Sequence, residues 1–224
     1  DFPLPREDKS KEFRVNKKEA LRKLKEEVEK CTKCPLHQHR THTVFGEGNT
    51  DARLLFVGEA PGFYEDKIGR PFVGQAGKLL DRLLQQIGLR REEIYIANVI
   101  KCRPPQNRDP LPEEIELCKP YLMKQIKIIN PPLICTLGRF ALQVISGRKL
   151  SITKVHGTLI KKGDFLLYPL FHPAAALHRG NLYASLKKDF IQLQEILKRL
   201  PSFSSSLPLF DLERKDSSLE EKGI

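Results

Sequence analysis

Several stretches of this chain hold residue types that can do chemistry. The first is Gly58-Glu59-Ala60-Pro61-Gly62, where the apolar run Leu54 to Val57 stops abruptly. Glycine at both ends lets backbone approach a ligand closely, and the carboxylate of Glu59 stands between them. The second is Asn98, at the end of the apolar run Ile94 to Ile100, followed by Lys101-Cys102-Arg103-Pro104-Pro105. The third is His172-Pro173-Ala174-Ala175, at the end of the run Phe165 to Phe171. An acid, an amide and an imidazole, each closing an apolar run, are the groups from which a proton-handling and hydrogen-bonding site is built.

The cysteines form another constellation. Cys31 and Cys34 make a C-x2-C pair, and Cys102 and Cys118 follow far downstream with 15 residues between them. A zinc ribbon would match C-x2-C with a second C-x2-C, which this chain lacks. Four separated thiolates suit a [4Fe–4S] cluster, with Lys33, Lys101, Arg103 and Lys119 nearby to offset its charge. A rival is local zinc binding by Cys31, Cys34 and two of His37, His39 and His42. Free buried thiols are the third reading. Cys135 sits inside an apolar run and reads as an inert core residue.

These groups need elements to position them. Leu54 to Val57, Ile94 to Ile100, Leu133 to Gly138 and Phe165 to Phe171 read as buried strands. Between them lie helical patterns: Ala76, Leu79, Leu80, Leu83 and Leu84; Ile115, Cys118, Leu122, Ile126 and Ile129; Arg139 to Ser146; and an amphipathic stretch from about Leu182 to Leu200. Pro112-Glu113-Glu114 suits the start of the second of these, with proline and acids in the first turn. Residues 151–164 read as a turn with edge strands around Gly157 and Gly163. The β-α-β-α-β-α-β-α order predicts an α/β fold with a mainly parallel sheet and helices on both faces. Parallel strands deliver Glu59, Asn98 and His172 to one sheet edge, where ligand crevices lie. The first strand reaches its helix through a long loop that ends in Gly69-Arg70-Pro71-Phe72-Val73-Gly74; such length in a βα connection points to function.

The 224 residues suit one domain with ragged ends: a flexible extension over 1–16, a folded unit over 17–200 opening with a charged helix at 17–30, and a flexible tail over 201–224. No apolar run approaches the ~20 residues of a membrane span. The N-terminal DFPLPREDKSKEF lacks the apolar stretch of a signal peptide, so an intracellular, cytoplasmic, soluble protein is expected; that it is nucleoid-associated and that it is a monomer are separate expectations. In that compartment five cysteines argue against disulfides. Net charge is +11, with ten Lys/Arg against eight Asp/Glu in residues 1–30 and three against five in 201–224. The excess therefore falls on the folded middle, which suggests a polyanionic partner, nucleic acid first.

Taken together, Gly58-Glu59-Ala60-Pro61-Gly62, Pro71-Phe72-Val73-Gly74, Asn98 with Lys101-Cys102-Arg103-Pro104-Pro105, and His172-Pro173-Ala174-Ala175 resemble the family 4 uracil-DNA glycosylases, iron–sulfur enzymes found mostly in thermophiles. The resemblance covers roughly residues 20–198. It implies a three-layer αβα sandwich around a four-stranded, mainly parallel sheet. It implies excision of uracil from single- and double-stranded DNA by hydrolysis of the N-glycosidic bond. Residue by residue, it implies that Gly58 and Ala60 border the pocket, Phe72 stacks on the extruded uracil, Asn98 pairs with its N3–H and O4 edge, and His172 donates to O2. It also makes Cys31, Cys34, Cys102 and Cys118 the holders of a structural [4Fe–4S] cluster.

One departure from related enzymes matters. Other uracil glycosylases place a water-activating aspartate two residues after the first glycine; here that position is Ala60. Glu59 is then the carboxylate expected to position water or to offset the oxocarbenium charge. Glu65 or Asp66 is a further acid within reach, and Glu65 is alternatively a group that crowds the place of thymine's 5-methyl. After His172, Leu177 reads as an apolar wedge for paired DNA and Arg179 as a phosphate or groove contact. Two other classes of function compete: a non-catalytic nucleic-acid-binding or damage-sensing module, and a redox protein. The chain has no flavin or nicotinamide fingerprint, which counts against the redox protein.

Overall fold

The structure is a computed structural model that describes residues 9–177 and 179–200, with side chains from Asn16 onward. In chain order its elements are α1 (Lys9–Glu29), β1 (Glu47–Gly48), β2 (Leu54–Gly58), α2 (Phe63–Ile68), α3 (Gln75–Gln86), β3 (Tyr95–Asn98), α4 (Pro112–Ile129), β4 (Leu133–Leu137), α5 (Arg139–Ser146), α6 (Ile152–Val155), β5 (Ile160–Lys162), β6 (Phe165–Leu170), α7 (Pro173–Ala176) and α8 (Gly180–Arg199). The fold is an α/β sandwich, as the order of apolar runs predicted.

The sheet has six strands rather than four, in the order β1-β3-β2-β4-β6-β5. The inner four pair in parallel, while β1 and β5 add antiparallel to the two edges. β5 is one of the edge strands expected around Gly157 and Gly163, whereas β1, two residues long and without an apolar run, is not announced by its sequence. Gly163 at φ +56° turns β5 back into β6, the positive φ that a tight hairpin requires. Short edge strands also blunt the exposed ladder against pairing with another chain.

Side chains alternate along each inner strand, and both faces are buried. Leu55, Val57, Tyr95, Ala97 and Ile134 face one apolar layer with Leu24, Leu122 and Leu142. Leu54, Phe56, Ile96, Cys135 and Tyr168 face the other, with Leu80, Leu83 and Phe190. α1 packs on α4, and α3 packs on α7 and α8. Cys135 is fully buried in the second layer, as its apolar surroundings suggested.

Three other sequence expectations are corrected. The first helix starts at Lys9, not at 17. The long connection between β2 and α3 contains a helical turn of its own, α2, and α6 occupies part of 151–164. The segments 1–8 and 201–224 lie outside the described residues. Among the described residues no helix is long and apolar enough to cross a membrane.

Candidate active site

The parallel register does what the sequence pattern demanded of it. Gly58 and Asn98 are directly paired at the C-terminal ends of β2 and β3. A Cβ on Gly58 would lie 2.3 Å from Asn98 Oδ1 and 2.6 Å from Phe72 Cζ, so only glycine lets these two side chains meet there. The Phe72 and His172 rings lie 5.7 Å apart, tilted by 31°. Gly58, Phe72, Asn98 and His172 therefore share one crevice at one sheet edge.

Each group is chemically poised. Asn98 is buried, and its Oδ1 has no hydrogen-bond partner. A buried acceptor left unpaired costs ~1–3 kcal/mol, which a ligand donor would recover. Beneath it the buried Lys101 Nζ donates to the Asn98 carbonyl at 2.8 Å and to Gln125 Oε1 at 2.6 Å, pinning the end of β3. His172 Nδ1 accepts from Ala174 N at 3.1 Å. Burial lowers its pKa to about 4. The imidazole is therefore neutral at physiological pH, and with Nδ1 accepting, the ring proton resides on Nε2. The Glu59 carboxyl is pushed up to about 7, first by burial and then by Asp109, against the opposing effect of Arg139.

Glu65 has a clear structural task. Its Oε1 accepts from the backbone N–H of Val73 at 2.9 Å and of Gly74 at 2.8 Å, tying α2 to the turn that presents Phe72. Asp66 turns away from the crevice, where both carboxylate oxygens accept from Thr41 N. Ala60 packs against the first apolar layer. Leu177 lies at the end of α7 with 36% of its surface exposed, outside both apolar layers. Arg179 is exposed at the start of α8. Sequence reasoning missed Arg91 and Asp109, and assigned Lys101 to the cysteines rather than to the end of β3 that it holds. The carboxylates around Arg91 and the amide beside Lys101 become neighbours only through the fold.

The metal expectation is corrected. Cys31, Cys34, Cys102 and Cys118 do line one small cavity. Yet among the described residues no group of three or more His, Cys, Asp or Glu could hold a metal ion. The expected [4Fe–4S] cluster is thus overturned, and the rival zinc site fails with it. Burial raises the thiols of Cys34 and Cys102 and pushes Cys118 up to about 11. Arg40 Nη1 donates to Cys102 Sγ and Lys101 N to Cys118 Sγ, each at 3.3 Å.

This fold and crevice place the chain by comparison as well. It belongs to the uracil DNA glycosylase superfamily, whose family model matches residues 45–198. Among its relatives within that superfamily are several type-4 enzymes. It is 53% identical over 187 residues to the type-4 uracil-DNA glycosylase of Thermotoga maritima, covering 82% of this chain and 97% of that protein. The corresponding protein of Sulfurisphaera tokodaii is 49% identical, over 80% of this chain and 85% of its own length. A type-5 uracil-DNA glycosylase of Pyrobaculum aerophilum is more distant, at 27% identity.

Proposed function

We infer that this protein excises uracil from DNA by hydrolysing the bond between N1 of the base and C1′ of the sugar, leaving an abasic site. The observation that carries this reading is the orphaned, buried Asn98 Oδ1 beside the Phe72 ring. A neutral amide offers an acceptor to N3–H and a donor to O4, the pattern of uracil and the reverse of cytosine. The base must leave the duplex to reach such a pocket. Phe72 then supplies the face on which it stacks.

As the glycosidic bond breaks, its electron pair leaves with the base, and negative charge gathers on uracil N1 and O2. A neutral His172 with its proton on Nε2 donates to O2 without having to ionise. Positive charge develops at C1′, where the Glu59 carboxylate offsets it. Water attacks C1′, its oxygen forms the new bond, and its proton passes to Glu59. A pKa near 7 suits a group that must accept a proton at ambient pH. Leu177 and Arg179 engage the DNA around the extruded nucleotide. All of these groups come from one chain, so a monomer suffices.

The test is incubation with single- and double-stranded oligonucleotides carrying one uracil, followed by alkaline cleavage at abasic sites. Strand scission that depends on uracil and is lost in Asn98→Ala supports the reading. Tight binding to uracil-containing DNA without scission would instead establish a damage-sensing module.

A further inference from the structure

The helix α2 is unusual in how it distributes its side chains. Its two acids are spent inward, Glu65 on the Val73 and Gly74 amides and Asp66 on Thr41 N. What remains outside is Phe63 at 49% exposure, Tyr64 at 57% and Ile68 at 55%, together with Lys67. The Phe63 and Tyr64 rings meet edge to face with centroids 5.4 Å apart. The Arg103 guanidinium lies 5.0 Å over the Phe63 ring, and Lys67 Nζ lies 6.0 Å over it. An exposed aromatic pair flanked by cations, with the neighbouring carboxylates turned away, is a face built for something flat and negatively charged.

We propose that this face is a stacking platform for the single-stranded DNA that flanks the extruded uracil, with Tyr64 against one base, Phe63 bracing the Tyr64 ring edge to face, and Arg103 and Lys67, held over the Phe63 ring, against the neighbouring phosphates. The proposal rests on the functional reading above. α2 begins directly after Gly62, and Glu65 fastens it to the Phe72 turn, so the platform is held in fixed relation to the crevice. Charge decides the occupant. No carboxylate of α2 faces outward, and the chain as a whole carries +11. Stacking on aromatic faces is sequence-tolerant and needs unpaired bases, whose faces a duplex keeps covered.

The experiment measures fluorescence anisotropy of a labelled, uracil-free single strand with wild type, Phe63→Ala, Tyr64→Ala and Tyr64→Phe. It is paired with excision kinetics on single-stranded and duplex uracil substrates. These side chains are exposed, and thermal melting confirms that each variant folds. Loss of one stacked base costs ~1–3 kcal/mol, so Tyr64→Ala should weaken single-strand binding about tenfold or more. Tyr64→Phe, which keeps the ring, should stay within about twofold of wild type on the same reckoning. Excision from single strands should lose kcat/KM through KM, with a several-fold smaller loss on duplex. Unchanged binding in both alanine variants would leave the face to a protein partner and overturn the proposal. Equal losses on both DNA forms, or failure of Tyr64→Phe to rescue, would overturn it too. If the wild type binds the strand through Tyr64 yet cuts no uracil, the functional reading falls and the platform stands.

Discussion

Arg91 holds the backbone of Phe72. Its Nη1 donates to the Phe72 carbonyl at 2.8 Å and its Nη2 to the carbonyl of Pro71. Phe72 needs such a hold, because its φ is +52°, a left-handed conformation that costs a bulky residue ~1–3 kcal/mol. Its carbonyl is pressed against α3 so closely that a Cβ on Gly77 would fall 1.8 Å from it. Glu47 and Asp81 steady the guanidinium from the other side, at 3.0 and 3.1 Å. Glu65 seizes the next two amides. The ring that faces Asn98 and His172 is thus aimed by a clamp on either side of it.

The clamp makes a prediction that plain destabilisation does not. Arg91→Ala should reduce kcat/KM for uracil excision by about tenfold or more, since it removes two hydrogen bonds from a charged donor worth ~1.5–3 kcal/mol each. In a Phe72→Ala background the same change should cost little further activity, while the losses in Tm still add. A double-mutant cycle on single-turnover rates reads the coupling. Additive rate losses would show that Arg91 serves only stability.

Asn98→Asp should reduce uracil excision by about a hundredfold. An ionised carboxylate opposes uracil O4 and withdraws the amide donor, a loss of ~2–3 kcal/mol in a buried site. Any activity gained should fall on cytosine, toward whose N3 the protonated carboxyl can donate. Parallel assays on strands carrying uracil or cytosine check both halves. Normal uracil excision by this variant would remove Asn98 from base reading.

The pH dependence follows from two ionisable groups with opposite shifts. Glu59 ionises at about 7 and His172 protonates only at about 4. Single-turnover excision should therefore rise with pH through about 7 and then level, with no limb from His172 above about pH 5. Asp109→Asn removes the second cause of the Glu59 shift and should move the acid limb to lower pH. Stability carries the complementary sign. The folded pKa of Glu59 lies above its ordinary 4.5, so the folded state holds a proton that the unfolded chain releases. Stability from this group is lost as pH rises from about 4.5 to 7. Glu59→Gln should then melt above wild type at pH 8 and level with it at pH 4.

The inner sheet and the crevice were legible because each depends on a strong local pattern. Four apolar runs fixed the parallel strands, and Glu59, Asn98 and His172 stood where those runs stop. Parallel pairing alone then brought Gly58 to Asn98. What escaped depends on contacts between segments far apart in the chain. Arg91 reaches Pro71 and Phe72 across about twenty positions, with nothing in its own surroundings to mark it. β1 is too short to show alternation, and α2 is a six-residue helix inside a stretch punctuated by Gly and Pro. The cysteines misled because spacing along the chain does not report donor geometry: the four line one cavity, yet among the described residues no group of three or more His, Cys, Asp or Glu could hold a metal ion.

Leu177 is the residue we propose as the wedge that opens paired DNA. It ends α7, four residues beyond the His172-Pro173 step, with its amide bonded to the Pro173 carbonyl at 3.1 Å. It is 36% exposed and belongs to neither apolar layer, so burial does not account for a leucine there. Arg179 follows at the start of α8, also exposed. An apolar side chain beside a cation, carried on the same segment as His172, suits insertion between base steps while the neighbouring charge meets a phosphate. Extrusion of a paired base costs roughly a few kcal/mol, less at a mismatch and least on a single strand. Leu177→Ala should therefore slow excision most from duplex U·A, less from U·G and least from single strands, with little change in Tm. Arg179→Ala should weaken binding about equally across sequences and flatten its salt dependence by about one phosphate's worth of slope. This ranking is the reverse of that expected for Tyr64→Ala, so the two variants assayed side by side separate duplex opening from single-strand holding. If Leu177→Ala lowers Tm and slows all three substrates alike, Leu177 is a packing residue and duplex opening must be assigned elsewhere.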